Sequence, residues 1–264
     1  MSELYYKLLE LRKLPNAYEE WASYREAVTD LIINSTEQGS SAALVGAGEC
    51  NDLDLKRLSG HFGSITLMDR DKEAMHRAFE RFSADNIKIQ ETDLAGIRDI
   101  DFQCFGARAE ACLRCNKKIS TDEFQAMIED LVGLIDPQVP DGSYDYVVCI
   151  GVYSQMLSII PQMAEVFKRG FPDIDMEGVY RTCSRENSFL ARVVGDNLRS
   201  IADKAVIFGF ERERVGMEGA VEGAFQGIAC ARKMGGRLIS DDLIWPLDIS
   251  QGKCYKMDFY IVEP

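Results

Sequence analysis

Apolar residues fall into two rhythms along this chain. Over residues 3 to 33, Leu4, Leu8 and Leu11 recur at helical spacing, and past Pro15 a second stripe follows at Trp21, Tyr24, Val28, Leu31 and Ile32. That periodicity predicts helices. The polar run "NSTEQGSS", Asn34 to Ser41, has loop composition. It predicts a boundary between an N-terminal helical accessory or lid over 1–38 and a larger domain over 39–264. From Ala42 onward the rhythm changes. "AALVGAG", "SITLMDRD" and "NIKIQETDL" are short apolar runs that read as buried strands. Between them lie a helix ending near Phe62, with Asn51 or Asp52 as its cap, and a helix from Lys72 to Phe82. Strands alternating with helices in this way imply βαβ units and a parallel sheet.

Residues 95–140 depart from that alternation and read as an insertion: a mixed stretch holding Cys104, Cys112 and Cys115, then a helix from Thr121 to Ile135 capped by Ser120 or Thr121. "YDYVVCIGVYSQM" is a fourth strand closing on Gly151. Helical residues follow to about Arg169, then a helix from Asn187 to about Ile201, and "DKAVIFGFERERV" as a fifth strand. "GMEGAVEGAFQGIACARKMGG" reads as a helix with Gly219, Gly223 and Gly227 on one face. The last two strand-like runs, "GRLISDDLIWPLDI" and "KCYKMDFYIVEP", are joined through "SQG" with no room for a helix, which requires an antiparallel pair. The expected fold is therefore α/β, a Rossmann-like doubly wound sheet, mostly parallel, with a C-terminal antiparallel hairpin and an N-terminal helical accessory.

Charge narrows the partners. A formal net charge of -13 repels phosphate backbones, and the cluster from Arg114 to Lys118 is broken by other residues, so no nucleic acid partner is expected. No apolar run approaches the roughly 18 residues needed to span a bilayer, so no membrane partner is expected either. The N-terminus has no signal-peptide pattern, and eight cysteines scattered through strands and helices suit a reducing compartment, so the expected localisation is cytoplasmic. Cys112 and Cys115 form a CxxC, but no fourth ligand is close in sequence, and no metal site is expected.

Chemistry concentrates at the ends of the first strands. Gly46, Ala47 and Gly48 form a glycine turn, where backbone approaches a ligand beyond the carboxyl ends of an open α/β sheet. A pyrophosphate at this turn would meet Glu49 and Asp52, so the loop suits a ligand that brings a cation. Asp69 ends the second strand and is placed to accept both hydroxyls of a ribose. Asp93 ends the third strand and is placed to accept from an adenine amine, with the Leu94 backbone facing the ring edge.

The succession "VGAGECND", "LMDRD", "ETDLAG" and "YDYVVCIGVYS", with the terminal hairpin, resembles the class I S-adenosylmethionine-dependent methyltransferases over roughly Ser41 to Pro264. The resemblance implies S-adenosylmethionine as cofactor. Gly46, Ala47 and Gly48 would line its methionine part, Asp69 its ribose, and Asp93 with Leu94 its adenine; Ile150 and Gly151 would lie beside the methyl donor. The family's turn is commonly GxGxG, and Cys50 stands here for the third glycine. Methyl transfer depends mostly on alignment, so no catalytic group need be visible; Tyr153 is the candidate best placed to face an acceptor, with Glu211 and Arg212 as further substrate contacts. Tyr5, Tyr18, Trp21 and Tyr24 are available to wall an acceptor pocket. The expected function is methylation of a small-molecule acceptor. Two readings stay open beside it: an NAD-dependent oxidoreductase, against which Asn51 and the hairpin count, and a non-catalytic S-adenosylmethionine-binding module.

Overall fold

The apolar runs pair into one seven-stranded sheet in the order β3-β2-β1-β4-β5-β7-β6. In chain order the elements are α1 (Glu3–Leu11), α2 (Ala17–Glu20), α3 (Ala22–Asn34), β1 (Ser41–Val45), α4 (Leu55–His61), β2 (Ser64–Asp69), α5 (Lys72–Phe82), β3 (Ile87–Glu91), α6 (Asp99–Arg114) and α7 (Thr121–Val132). They continue with β4 (Tyr144–Ile150), α8 (Ile159–Lys168), α9 (Met176–Ser200), β5 (Ala202–Arg214), α10 (Ala224–Lys233), β6 (Arg237–Asp248) and β7 (Lys253–Val262). The structure is a computed structural model describing residues 3–82, 84–115, 117–217 and 219–264.

β1 pairs in parallel with both β2 and β4, so it lies inside the sheet, and the connection after β3 carries the chain back across β1. The strand order reverses between β1 and β4, which opens a crevice beyond their carboxyl ends. Burial on both faces explains why these two strands read as continuous apolar runs: Ala42 to Val45 and Tyr146 to Ile150 are all buried. β7 pairs antiparallel with β5 and with β6, as the short connection requires. Asp248 Oδ1 accepts the Gln251 N–H at 3.1 Å and Gly252 turns the chain at φ +60°. Pro246 is tolerated because β6 is an edge strand.

Two apolar layers cover the sheet. Helices α6 to α10 cover one face; α3, α4 and α5 cover the other. The N-terminal helices divide between them. Tyr5 of α1 is buried with Phe102 of α6, their rings stacked at 5.6 Å, while Val28 and Ile32 of α3 are fully buried in the opposite core. Burying an aliphatic side chain of that size contributes about 1.5–3 kcal/mol. The chain between α1 and α3 therefore passes across the carboxyl ends of the strands.

Four local expectations are corrected. α4 begins at Leu55, capped by Asp54, whose carboxylate accepts the Arg57 N–H at 3.1 Å; Asn51 and Asp52 stay in the preceding turn. The mixed stretch after residue 95 is largely α6, a sixteen-residue helix whose Phe102, Phe105 and Ala109 face the core. α9 starts at Met176, eleven residues before the expected Asn187, with Val179 and Cys183 extending its apolar stripe. The glycine face does not exist as a helix face: Gly219 and Gly223 have φ of +117° and +80° and precede α10, and only Gly227 lies within it, where a Cβ would stand 2.4 Å from Phe210.

Candidate functional site

The turn after β1 is built so that only glycine fits at its first position. Gly46 has φ +72°, and a Cβ there would meet Val152 Cγ2 at 2.2 Å. The Gly46 and Ala47 N–H groups donate to Met68 O at 2.8 and 3.1 Å, which ties the turn to the end of β2. Gly48, at φ +48°, donates its N–H to Asp69 Oδ2 at 2.9 Å, and the Asp71 N–H donates to Asp69 Oδ1 at 2.8 Å. Burial pushes the Asp69 carboxyl above the usual range, and these two backbone donors act against that shift. Cys50 follows with φ +51°, an uncommon conformation for a side chain larger than glycine.

Beside this turn lies a cavity of about 580 Å³, within the range of small-molecule sites. Gly46, Asp69, Asp93 and Leu94 all line it. Asp93 Oδ1 accepts the Ala95 and Gly96 N–H groups, each at 3.1 Å, which fixes the carboxylate at the cavity wall. α1 supplies Tyr5 and Leu9 to the same cavity, the turn after it supplies Arg12, and the loop after β4 supplies Val152 and Met156. Arg12 donates to Ser158 Oγ at 2.9 Å and Gln162 Oε1 at 3.0 Å, and Tyr5 Oη donates to Asp99 Oδ1 at 2.6 Å; Arg70 also pairs with Asp99. These bonds fasten α1 across the mouth.

The remaining sequence-derived residues lie elsewhere. Ala47 is buried in the turn and Gly48 sits behind Asp69. Ile150 is buried at the end of β4, and Gly151, at φ +65°, donates to Gly209 O at 2.9 Å. Both adjoin the crevice without lining this cavity. Tyr153 is turned away from it: the ring is buried edge-on against Phe208 and Phe210 on the α9–α10 face, and burial pushes its phenol well up. Its position beyond β4 suggested a group facing the acceptor, but the left-handed turn at Gly151 redirects the chain. Glu49 pairs with Arg77 at 2.7 Å and Arg81 at 3.7 Å on α5, so its charge is answered within the protein. Asp52 is different. It is partly buried and its carboxyl is pushed up to about 6 by burial, with Arg25 opposing. Arg212 pairs with Asp258 at 2.7 Å. Among the described residues no cluster of three metal-ligating side chains occurs.

A second group of polar atoms lies at the ends of β4 and β5. Glu211, within β5 and 3 % exposed, accepts from Ser154 Oγ at 2.6 Å through Oε1, while its Oε2 has no partner among the described residues. Trp245 of β6 stacks on Tyr24 of α3 at 6.0 Å and meets Trp21 edge-on at 5.0 Å. Arg12 and Val152 escaped sequence reading because they reach the cavity only through packing of distant segments. Trp245 lies 94 residues beyond Gly151, and nothing in its local pattern marks it.

No protein-family profile and no curated protein matches the sequence. Solved structures of similar fold include the N-methyltransferase NodS from Bradyrhizobium japonicum WM9, at 13% identity and TM-score 0.49, covering 95% of this chain and 99% of that one. Magnesium protoporphyrin IX methyltransferase from Synechocystis PCC 6803, with S-adenosylmethionine bound, aligns at 12% identity and TM-score 0.44 over 92% of this chain and 79% of its own. An S-adenosylmethionine-dependent methyltransferase from Aquifex aeolicus aligns at 11% identity and TM-score 0.44 over 98% of each chain. In this chain's own sheet β7 alone runs against the other six strands, a Rossmann-like arrangement.

Proposed function

We propose that this protein is an S-adenosylmethionine-dependent methyltransferase acting on a small-molecule acceptor. The observation that carries the reading is the joining of Gly48 and Asp69 at one edge of a cavity whose other wall holds Asp93 and Leu94. The lining suits an adenosine: a carboxylate for the ribose hydroxyls, then a carboxylate and an apolar residue for the adenine. Asp52, without the arginine pairs that Glu49 has on α5, offers negative charge near the loop for a cationic methionine portion.

The cofactor supplies a methyl group on a sulfonium, an electrophile that needs no further activation. This chain's residues bind, orient and enclose. Asp69 holds the ribose, and the Gly46 turn admits the backbone close to the methionine portion. α1 acts as the lid, the Tyr5 and Arg12 bonds keeping water from the mouth. Alignment of donor and acceptor is the main catalytic contribution. The negative charge of the chain favours a small acceptor over nucleic acid, and the eight free thiols fit a cytoplasmic setting.

Calorimetric titration of the full chain with S-adenosylmethionine, S-adenosylhomocysteine and NADH tests the reading. Binding of the first two without the third supports it. Binding of NADH alone overturns it in favour of an oxidoreductase.

A further inference from the structure

Among the described residues, three buried polar atoms near the end of β4 lack partners: Tyr24 Oη, Trp245 Nε1 and Glu211 Oε2. Each belongs to a side chain at most 5 % exposed. Leaving one such atom unsatisfied costs about 1–3 kcal/mol, so three in one place call for a ligand group or ordered water. They do share one place. A Cβ on Gly151 would stand 3.1 Å from the Trp245 ring and 3.6 Å from Glu211 Oε1, so the end of β4 touches both. Tyr24 stacks on the same indole, and its phenol is influenced by the carboxylates of both Asp52 and Glu211.

The chemistry of this group is one-sided. Glu211 has Ser154 as its hydrogen-bond donor, and among the described residues no basic side chain pairs with it; Arg214, on the same strand, acts with it on Tyr255. Arg25, the nearest guanidinium to Asp52, is bonded to Tyr18 O and Asn51 O at 2.5 and 3.0 Å, and Arg212 is paired with Asp258. Beside Glu211 the rings of Tyr24 and Trp21 pack on Trp245, one stacked and one edge-on. An acid without a paired cation, beside aromatic rings, is a setting that favours an organic ammonium, through charge pairing and cation–π attraction. Trp245 Nε1–H, a donor only, is left to an ordered water, because an ammonium offers no acceptor.

We propose that Glu211, Tyr24, Trp21 and Trp245 form the acceptor subsite, and that the acceptor is an amine with an apolar body, held at the end of β4 where Gly151 meets Trp245 and Glu211. This deepens the methyltransferase reading and rests on it. The amine arrives as R–NH3+ and yields one proton to the Glu211 carboxylate. The freed nitrogen lone pair forms a bond to the sulfonium methyl carbon as the carbon–sulfur bond breaks, its electron pair remaining on sulfur. The products are R–NH2+–CH3 and the thioether. Trp21, at the joint between α2 and α3, packs edge-on against Trp245 and closes the group in this structure. Movement at that joint is the route of entry.

The chain's two tryptophans, Trp21 and Trp245, both belong to this group, so intrinsic fluorescence reports on it locally. The full chain is titrated with benzylamine and with its neutral analogue benzyl alcohol, with and without saturating S-adenosylhomocysteine. The expected result is a saturable change with benzylamine, at least about tenfold tighter than with the alcohol, and a loss of about tenfold or more in Glu211→Gln with S-adenosylhomocysteine affinity unchanged. Tyr24→Phe, which removes only an unpartnered hydroxyl, should fold and weaken benzylamine severalfold. Equal binding of amine and alcohol, absence of a saturable change, or unaltered benzylamine affinity in Glu211→Gln or, if that variant does not fold, in Tyr24→Phe overturns the proposal and leaves ordered water as the occupant. Failure of S-adenosylhomocysteine to bind, with the amine titration intact, instead sinks the methyltransferase reading while keeping a cation site.

Discussion

Asp69 Oδ2 accepts the Gly48 N–H at 2.9 Å, so the acid at the end of β2 and the turn after β1 form one hydrogen-bonded unit. A ribose bound at Asp69 is thereby coupled to the backbone that faces the methionine portion. Asp69→Ala should weaken S-adenosylhomocysteine binding by about 1.5–3 kcal/mol, the scale of hydrogen bonds to a charged group. Calorimetry measures it, and unchanged affinity would remove the ribose assignment.

Gly46 is constrained twice, by a positive φ and by Val152. Gly46→Ala should lower stability by about 1–3 kcal/mol and reduce cofactor affinity. The double variant Gly46→Ala with Val152→Ala should recover part of the stability, because only the steric component is relieved. Urea unfolding of the two variants against wild type measures this; identical midpoints for the single and double variants would show that Val152 is not the obstacle.

Asp52 makes stability depend on pH. Its folded carboxyl is raised to about 6, whereas the unfolded value is about 3.9. Between those values the folded state holds a proton that the unfolded state has released, so stability falls as pH rises from about 4 to 6 and stays lower above it. Asp52→Asn should be more stable than wild type at pH 7 by about 1–3 kcal/mol and lose this component of the pH dependence. Thermal unfolding from pH 4 to pH 7.5 reads both effects; parallel curves for the two proteins would contradict the burial argument.

α1 is held over the cavity partly by the Tyr5 to Asp99 hydrogen bond. Tyr5→Phe keeps the stacked ring on Phe102 and removes that bond, at about 0.5–1.5 kcal/mol. Amide exchange over residues 3–11 should accelerate, and the dissociation rate of S-adenosylhomocysteine should rise. An unaltered dissociation rate would count against α1 as a lid.

Legibility followed burial pattern. β1, β4 and the helix from Lys72 to Phe82 were readable because a strand covered on both faces is uniformly apolar and an amphipathic surface helix keeps its period. α6 was not, because its buried Phe102, Phe105 and Ala109 are interleaved with Cys104, Arg108 and Glu110, which blur the stripe. Gly219 and Gly223 share a helical spacing with Gly227, yet their φ angles belong to a loop, a distinction that spacing does not carry. At the site, Asp69 and Asp93 were legible as acids at or just beyond strand ends. The contributions of Arg12, Val152 and Trp245 depend on tertiary packing, and the burial of Tyr153 depends on the backbone reversal at Gly151.

The most direct measurement is a crystal structure of the protein grown with S-adenosylhomocysteine. The account predicts the ribose hydroxyls within hydrogen-bond distance of the Asp69 carboxylate and the adenine against Leu94, its amino group on Asp93. A ligand seated with its ribose away from Asp69, or bound outside the cavity between α1 and the ends of β1 to β3, would contradict it.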